Sequence, residues 1–327
     1  MIDDVLLAGL GLVILLLAGD ALVKGAVNLA LRIGVPALLV SLTIVAFGTS
    51  APELLISVAA VLEDAPGIAI GNVVGSNTAN ILLVLGVPAI MAGLDTEHSE
   101  TRKTYLFMIA ASILFIALAF MGPITWWHGL ILLAALSGVL YDALCEARAH
   151  RREAVVAAGI GDPGRDADDE EEVEGADTSM PGWKVALFLA LGLIGLPLGA
   201  EILVDSASDI ARELGVPDTV IGLTLVAVGT SLPELATTVM AALRRQTDVA
   251  LGNVIGSNMF NLLAIIGVAS LVGPIPVTGS ILQFDLWVML GASLLLAPFV
   301  FLRWPMGRAW GIALTAAYVV YVGVVLA

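Results

Sequence analysis

Apolar residues along this chain gather into blocks long enough to cross a bilayer, and polar residues fall between them. Ten blocks follow one another, at about residues 5–31, 36–62, 67–92, 103–121, 124–146, 183–208, 217–243, 248–272, 283–302 and 307–326. A helix through hydrocarbon needs about 20 mostly apolar residues, so each block predicts one transmembrane helix. Between the fifth and sixth lies a stretch, 147–182, that holds Pro163, Gly164, Pro181 and Gly182 and has no apolar period. The pattern therefore predicts an all-α polytopic membrane protein. Residues 1–146 form one five-helix unit, 147–182 a linker, and 183–327 a second five-helix unit.

The two units repeat one another at a constant offset in numbering. Gly34-Val-Pro recurs as Gly215-Val-Pro, and Gly48-Thr-Ser-Ala-Pro-Glu53 as Gly229-Thr-Ser-Leu-Pro-Glu234. At the same offset Gly71-Asn-Val-Val-Gly-Ser-Asn77 recurs as Gly252-Asn-Val-Ile-Gly-Ser-Asn258, and Asn80 as Asn261. Between 34 and 62, 16 of 29 positions are identical to their counterparts without a gap, which marks an internal duplication. Five spans is an odd number, so the second copy enters the membrane from the opposite side. The repeats are expected to be inverted, related by a pseudo-two-fold axis in the membrane plane.

Charge gives the orientation. With the connections assigned alternately to two sides, one side receives Arg32, Arg102, Lys103, Arg148, Arg151, Arg152, Arg165, Lys184, Arg244, Arg245, Arg303 and Arg308, and the other only Arg212. Basic residues accumulate in cytoplasmic loops. The bias predicts a cell-membrane protein with both termini extracellular and the 147–182 linker cytoplasmic. The net charge of −15 is concentrated in 162–177, which holds nine acids and one base, Arg165. Such a run reads as a solvated linker; a regulatory Ca2+ site is the sharper alternative, but the run lacks the spacing of a Ca2+ loop. With 59% hydrophobic and 13% charged residues against about 25% charged in soluble domains, no large soluble domain fits. The lone Cys145 excludes an intramolecular disulfide, and the Met1-Ile-Asp-Asp start does not read as a signal peptide.

Four spans carry polar motifs at matching depth. Ionisable groups inside a membrane are costly and mark functional paths. In the second span, Pro52 has no N–H for the Gly48 carbonyl, so the helix should break near Gly48-Thr49-Ser50 and turn carbonyls around Ala46 and Thr49 into the protein. Thr49, Ser50 and Glu53 share one face. Ala227, Thr230, Ser231, Pro233 and Glu234 repeat the arrangement in span seven. In span three, Ser76 and Asn80 share a face, as do Ser257 and Asn261 in span eight. Gly71 with Gly75, and Gly252 with Gly256, let helices approach closely. Asn72, Asn77, Asn253 and Asn258 read as interhelical ties. Facing one another, the copies offer two carboxylates, two amides, four hydroxyls and freed carbonyls. Oxygen-only sites suit hard cations such as Ca2+ and Na+. Asp20 and Glu201, which correspond across the repeats, read as structural or vestibule groups. His98, His128 and His150 are scattered near span ends and read as having no metal role.

Paired G-T-S-x-P-E and G-N-x-x-G-S-N motifs resemble the alpha repeats of the cation/calcium exchanger superfamily, prokaryotic sodium/calcium exchangers above all. The resemblance covers about 34–90 and 215–271, and the ten-span layout extends it. It implies a secondary antiporter that exchanges Na+ for Ca2+ by alternating access at a midplane site. Ca2+/H+ exchange and a passive cation channel are the alternatives. It further implies that Glu53, Glu234 and the carbonyls of Thr49 and Thr230 hold Ca2+. Na+ would use the glutamates with Ala46, Ser50, Ser76, Ala227, Ser231 and Ser257, and Asn80 would lie at the centre. Some members carry Asp where this chain has Asn261, which here removes a titratable group. No ATP-binding loop and no nucleophile–base set is present, so the expected partners are Ca2+, Na+ and lipid, with no cofactor, no nucleic acid and no enzymatic reaction.

The layout predicts that, in a Cys145→Ala background, an impermeant thiol reagent added to intact cells labels Ile2→Cys and spares Glu170→Cys. Labelling of position 170 from outside contradicts the inverted arrangement.

Overall fold

The computed structural model describes residues 2–96, 101–159, 180–215, 227–277 and 279–326. Helix follows helix: α1 (Ile2–Ile33), α2 (Ala37–Thr49), α3 (Ala51–Leu62), α4 (Pro66–Met91), α5 (Arg102–Ala119), α6 (Trp126–Gly159), α7 (Gly182–Glu213), α8 (Ala227–Gly229), α9 (Leu232–Leu243), α10 (Thr247–Val272), α11 (Ile281–Phe301) and α12 (Arg308–Leu326). Among the described residues, eight helices are long and apolar enough to cross a membrane, or nine when α2 and α3 count as one bent span. The expected seventh span is described only from Ala227 onward, because 216–226 lie outside the described residues, as does the acidic run.

The boundaries follow local chemistry. Gly34 and its counterpart Gly215 take φ of +69° and +81° just past the ends of α1 and α7. Only glycine adopts that region without cost, and it is the usual helix stop. The turns after α3 and α9 also correspond, with Asp64 at φ +57° and Arg245 at +55°. In each turn an N–H reaches back five residues at 2.8 Å, Ala65 to the Ala60 carbonyl and Gln246 to that of Ala241. The fifth span departs from expectation. Its apolar run ends near 146, but α6 continues to Gly159. Residues 147–158 are rich in Ala and Arg and contain neither Gly nor Pro, so helix propensity carries the helix past the point where hydropathy fails.

α4 and α10 form the centre. Buried fractions of their apolar windows reach 78% and 89%, against 11% for α6 and for α12. Two small-residue crossings hold the outer helices on: α4 meets α12 where Gly86 faces Gly311, and α10 meets α6 where Gly267 faces Gly129. Loops expected on one side of the membrane also touch. Leu94 exchanges backbone hydrogen bonds with Met306 at 3.0 and 2.9 Å, and Ile124 with Ile275 at 2.8 Å in both directions.

α1 and α7 pack along most of their length. A Cβ built on Gly11 would lie 2.7 Å from the Leu203 nitrogen, and one on Gly199 2.8 Å from the Leu15 nitrogen. Backbone meets backbone, as small residues allow between helices in lipid. Gly199→Ala should therefore force the helices apart and destabilise the protein by about 1–3 kcal/mol. Gly9→Ala, whose Cβ would meet nothing within 4 Å, should not. Thermal midpoints in detergent check this, and equal midpoints for both variants contradict it.

Candidate functional site

Both polar helix breaks form where expected. α2 and α3 meet at a 43° bend with Ser50 between them, at φ −84° and ψ 5°. Ser231 takes φ −88° and ψ 6° ahead of α9. Pro52 and Pro233 occupy the first turns of α3 and α9, where a missing N–H costs nothing. Glu53 and Glu234 stand in the same first turns, where the positive end of the helix dipole favours a carboxylate. Both are fully buried.

The neighbours of Glu234 come from both halves of the chain. Its Oε1 accepts from the Ser50 hydroxyl at 3.1 Å and from the Ser257 hydroxyl at 3.5 Å. Ser50 lies three residues before Glu53, so the two carboxylates share one pocket. The Thr49 hydroxyl is 3.3 Å from Asn253 Oδ1 and 3.4 Å from the Ser257 hydroxyl. Behind each glutamate an asparagine pins the backbone. Asn72 donates to the Glu53 carbonyl at 3.4 Å and to Ser57 at 3.1 Å; Asn253 donates to the Glu234 carbonyl at 3.4 Å and to Thr238 at 3.1 Å.

At the centre, α4 and α10 clasp each other. The Asn77 amide donates to the Asn258 carbonyl at 3.1 Å, and the Asn258 amide to the Asn77 carbonyl at 3.3 Å. Asn80 donates to Asn258 Oδ1 at 3.0 Å. Both helices then widen into one π-helical turn, Asn80–Val84 and Asn261–Ile265. Such turns disturb the regular ladder and are frequent at functional sites.

Among the described residues, most buried polar atoms left without hydrogen-bond partners belong to these helices. They include both carboxylate oxygens of Glu53, Oε2 of Glu234, Oδ1 of Asn77, Asn80 and Asn261, Nδ2 of Asn261 and the Ser231 hydroxyl. An unsatisfied buried polar group costs about 1–3 kcal/mol, more when charged, so the cluster calls for a partner that takes oxygen lone pairs. A dehydrated hard cation is such a partner. No group of three or more His, Cys, Asp and Glu occurs among the described residues, so two carboxylates must be helped by hydroxyl, amide and carbonyl oxygens.

The structure buries Thr49, Ser50, Glu53, Ser231, Glu234, Ser257, Asn80 and Asn261, and links Ser50 and Ser257 to Glu234 and Thr49 to Ser257; Ser76 stands on the same helix face one turn before Asn80. Thr230 is half-buried and has a partner of its own. Of Ala227 the backbone alone is described, opening α8. Ala46 differs from the unwound carbonyl that proline suggested. Its oxygen accepts from the Ser50 N–H at 3.0 Å, so this carbonyl keeps its helical bond. The asparagines read as interhelical ties act as such. Sequence reasoning passed over Ser57 and Thr238, though their matching positions in the two repeats, both hydroxyl-bearing, carried the signal. Asp20 is ion-paired to Lys24 and Arg244, whereas Glu201 is exposed. His98 lies outside the described residues, and His128 caps the start of α6 by accepting from the Thr125 N–H at 3.0 Å.

The sodium/calcium exchanger protein family profile matches residues 4–141 and 184–327. The chain is 36% identical to sodium/calcium exchanger MaX1 of Methanosarcina acetivorans, over 95% of each chain. It is 31% identical to inner membrane protein YrbG of Escherichia coli, over 95% of this chain and 93% of that one. Among solved structures, the sodium-calcium exchanger NCX_Mj superposes with a TM-score of 0.79 at 33% identity, covering 99% of both chains.

Proposed function

The chain belongs to the sodium/calcium exchanger protein family, and we propose that the buried cage around Glu53 and Glu234 is its ion site. It is a multi-pass membrane antiporter that exchanges Na+ for Ca2+. It is a transporter rather than an enzyme, its substrates are the two ions, and it uses no cofactor. Neither proton exchange nor a channel gains support from its relatives.

One observation carries the assignment of the site. Two fully buried carboxylates open corresponding helices, among buried oxygens that no group of the described residues satisfies. Two negative charges balance one Ca2+. Glu53, Glu234 and the carbonyls of Thr49 and Thr230 would hold it. With Ca2+ gone, Na+ ions take the same carboxylates together with Ser50, Ser231, Ser76, Ser257 and Ala227, beside Asn80 and Asn261; the Ala46 carbonyl, which accepts from the Ser50 N–H and the Thr49 hydroxyl, joins them only by releasing one of those bonds. The ions therefore compete, and a conformational change exposes the occupied site to one side and then the other. Because Glu234 already accepts hydroxyls from both halves, occupation of the cage bears on both halves at once.

The layout proposed is ten spans in two inverted repeats, 1–146 and 183–327, joined by the 147–182 linker in the cytoplasm, with both termini outside. The alternation of charge supports it. So do the contacts between loops it assigns to one side: Leu94 with Met306, Ile124 with Ile275, and Arg102 with the Phe301 carbonyl at 3.0 Å.

Glu53→Gln and Glu234→Gln should each abolish Na+-driven Ca2+ uptake into vesicles while leaving a folded protein. Each keeps the shape and removes one of two compensating charges, and an uncompensated charge out of water costs several kcal/mol. Uptake like that of the parent in both variants refutes the assignment. Asn261→Asp adds an acceptor and a titratable group, so it should retain Ca2+ binding and make uptake more dependent on pH. A flat pH profile for that variant places position 261 away from the ions.

A further inference from the structure

α1 crosses α9 near Ala236, two residues past Glu234. A Cβ on Gly19 would lie 3.0 Å from the Ala236 carbonyl oxygen, so the two backbones nearly touch there. One residue on, Asp20 Oδ1 accepts from Arg244 Nε at 2.6 Å and also contacts Arg244 Nη2. Lys24 Nζ lies 2.9 Å from Asp20 Oδ2. Asp20 thus has one base from its own helix and one from α9, and the side chains of Asp20 and Arg244 keep only 20% and 18% of their exposure. Arg244 caps α9, ten residues beyond Glu234, or about 15 Å along the helix axis. The ion pair therefore ties α1 to the far end of the helix whose first turn holds a site carboxylate.

The corresponding place in the other half matches in its turn but not in its packing or its charges: α7 does not pack on α3 as α1 packs on α9. Asp20, Lys24, Arg244 and Arg245 correspond across the repeats to Glu201, Asp205, Glu63 and Asp64. The turns match down to the left-handed residue, Asp64 for Arg245. Yet one end pairs an acid with bases, and the other carries acids alone. Glu63, Glu201 and Asp205 are exposed and make no ion pair among the described residues.

We infer that Asp20 and Arg244 are positioning residues of the exchange cycle: their ion pair holds shut the path between the site and the face that bears Arg244, and among the described residues the matching positions at the opposite face carry no such pair. This rests on the inverted-repeat reading above. To open toward the Arg244 face, α1 must part from the end of α9 and the pair must break. Opening toward the other face breaks no ion pair at the matching positions Glu63, Glu201 and Asp205. The pair therefore biases which face the site is offered to, and apparent affinity at each face follows the population open to it.

The test uses the purified full chain in proteoliposomes, with Ca2+ varied on one face at a time under a fixed Na+ gradient. In Arg244→Ala and in Asp20→Asn the KM for Ca2+ offered at the Arg244 face should fall about fivefold, the scale of one partly buried ion pair, and the KM at the other face should rise. Arg244→Lys should stay near the parent. Asp20→Arg combined with Arg244→Asp, which again sets one acid between two bases, should restore both values. Glu63→Arg supplies a base that Glu201 and Asp205 could pair with when α7 closes on α3, so it should shift the two KM values in the reverse sense. That exposed position carries the test if the α9 variants do not fold. KM values that stay unchanged, or move the same way on both faces, in folded variants overturn the proposal, as does a swap that fails to restore them. Impermeant labelling of Asp64→Cys and Arg245→Cys separates the two possible failures. If both label from one face, the inverted layout falls and takes the proposal with it. If they label from opposite faces while the KM values stay put, the proposal alone falls.

Discussion

Negative charge held out of water is the condition to which the rest of this molecule answers. Two carboxylates in the middle of a chain that is 59% hydrophobic have no water to solvate them. The fold meets this by breaking helices at Ser50 and Ser231 and starting new ones, so that each glutamate sits against the positive end of a helix. Breaking a helix inside a membrane frees backbone groups, which is tolerated only where protein surrounds them. That is why α4 and α10, the two most buried helices, lie across the breaks, and why Asn72 and Asn253 reach back to the carbonyls of the glutamates themselves.

Duplication makes the site simple to specify, but its two halves are not in the same state. Glu234 takes hydroxyls from Ser50 and Ser257, while both oxygens of Glu53 lack hydrogen-bond partners. Asn80 donates to Asn258 Oδ1, whereas the matching atoms, Asn261 Nδ2 and Asn77 Oδ1, stay unpaired. A two-fold site caught with unequal hydrogen bonds is what a protein that alternates between two arrangements would present in either one.

Much of this was legible in the residues because the signals were local. A proline four residues after Gly48 marks the break, a carboxylate one residue later marks the site, and both recur in the second half of the chain. What escaped was set by length scales the pattern does not carry. Hydropathy reports where lipid ends, so it stopped span five near 146 while the helix went on to Gly159. Proline shows which donor is lost, but not how the freed turn rearranges, so the Ala46 carbonyl, expected to turn inward, keeps its bond to the Ser50 N–H. The π-helical turns at Asn80 and Asn261 follow from packing between α4 and α10, which no single span encodes.

The matched turns after α3 and α9 also bear on biosynthesis. If the two halves insert in opposite senses, as proposed, a nascent chain has almost no reason in its apolar pattern to prefer one insertion over its mirror image. Hydrophobicity cannot break that tie, since it is nearly equal for both. Glu63 and Asp64 in one turn and Arg244 and Arg245 in the other can, because the translocation machinery retains bases and is nearly indifferent to acids. On that layout, a handful of charge differences at tips of matching geometry separates one oriented protein from a population inserted both ways, whose two members would offer different faces of the site to the same solution.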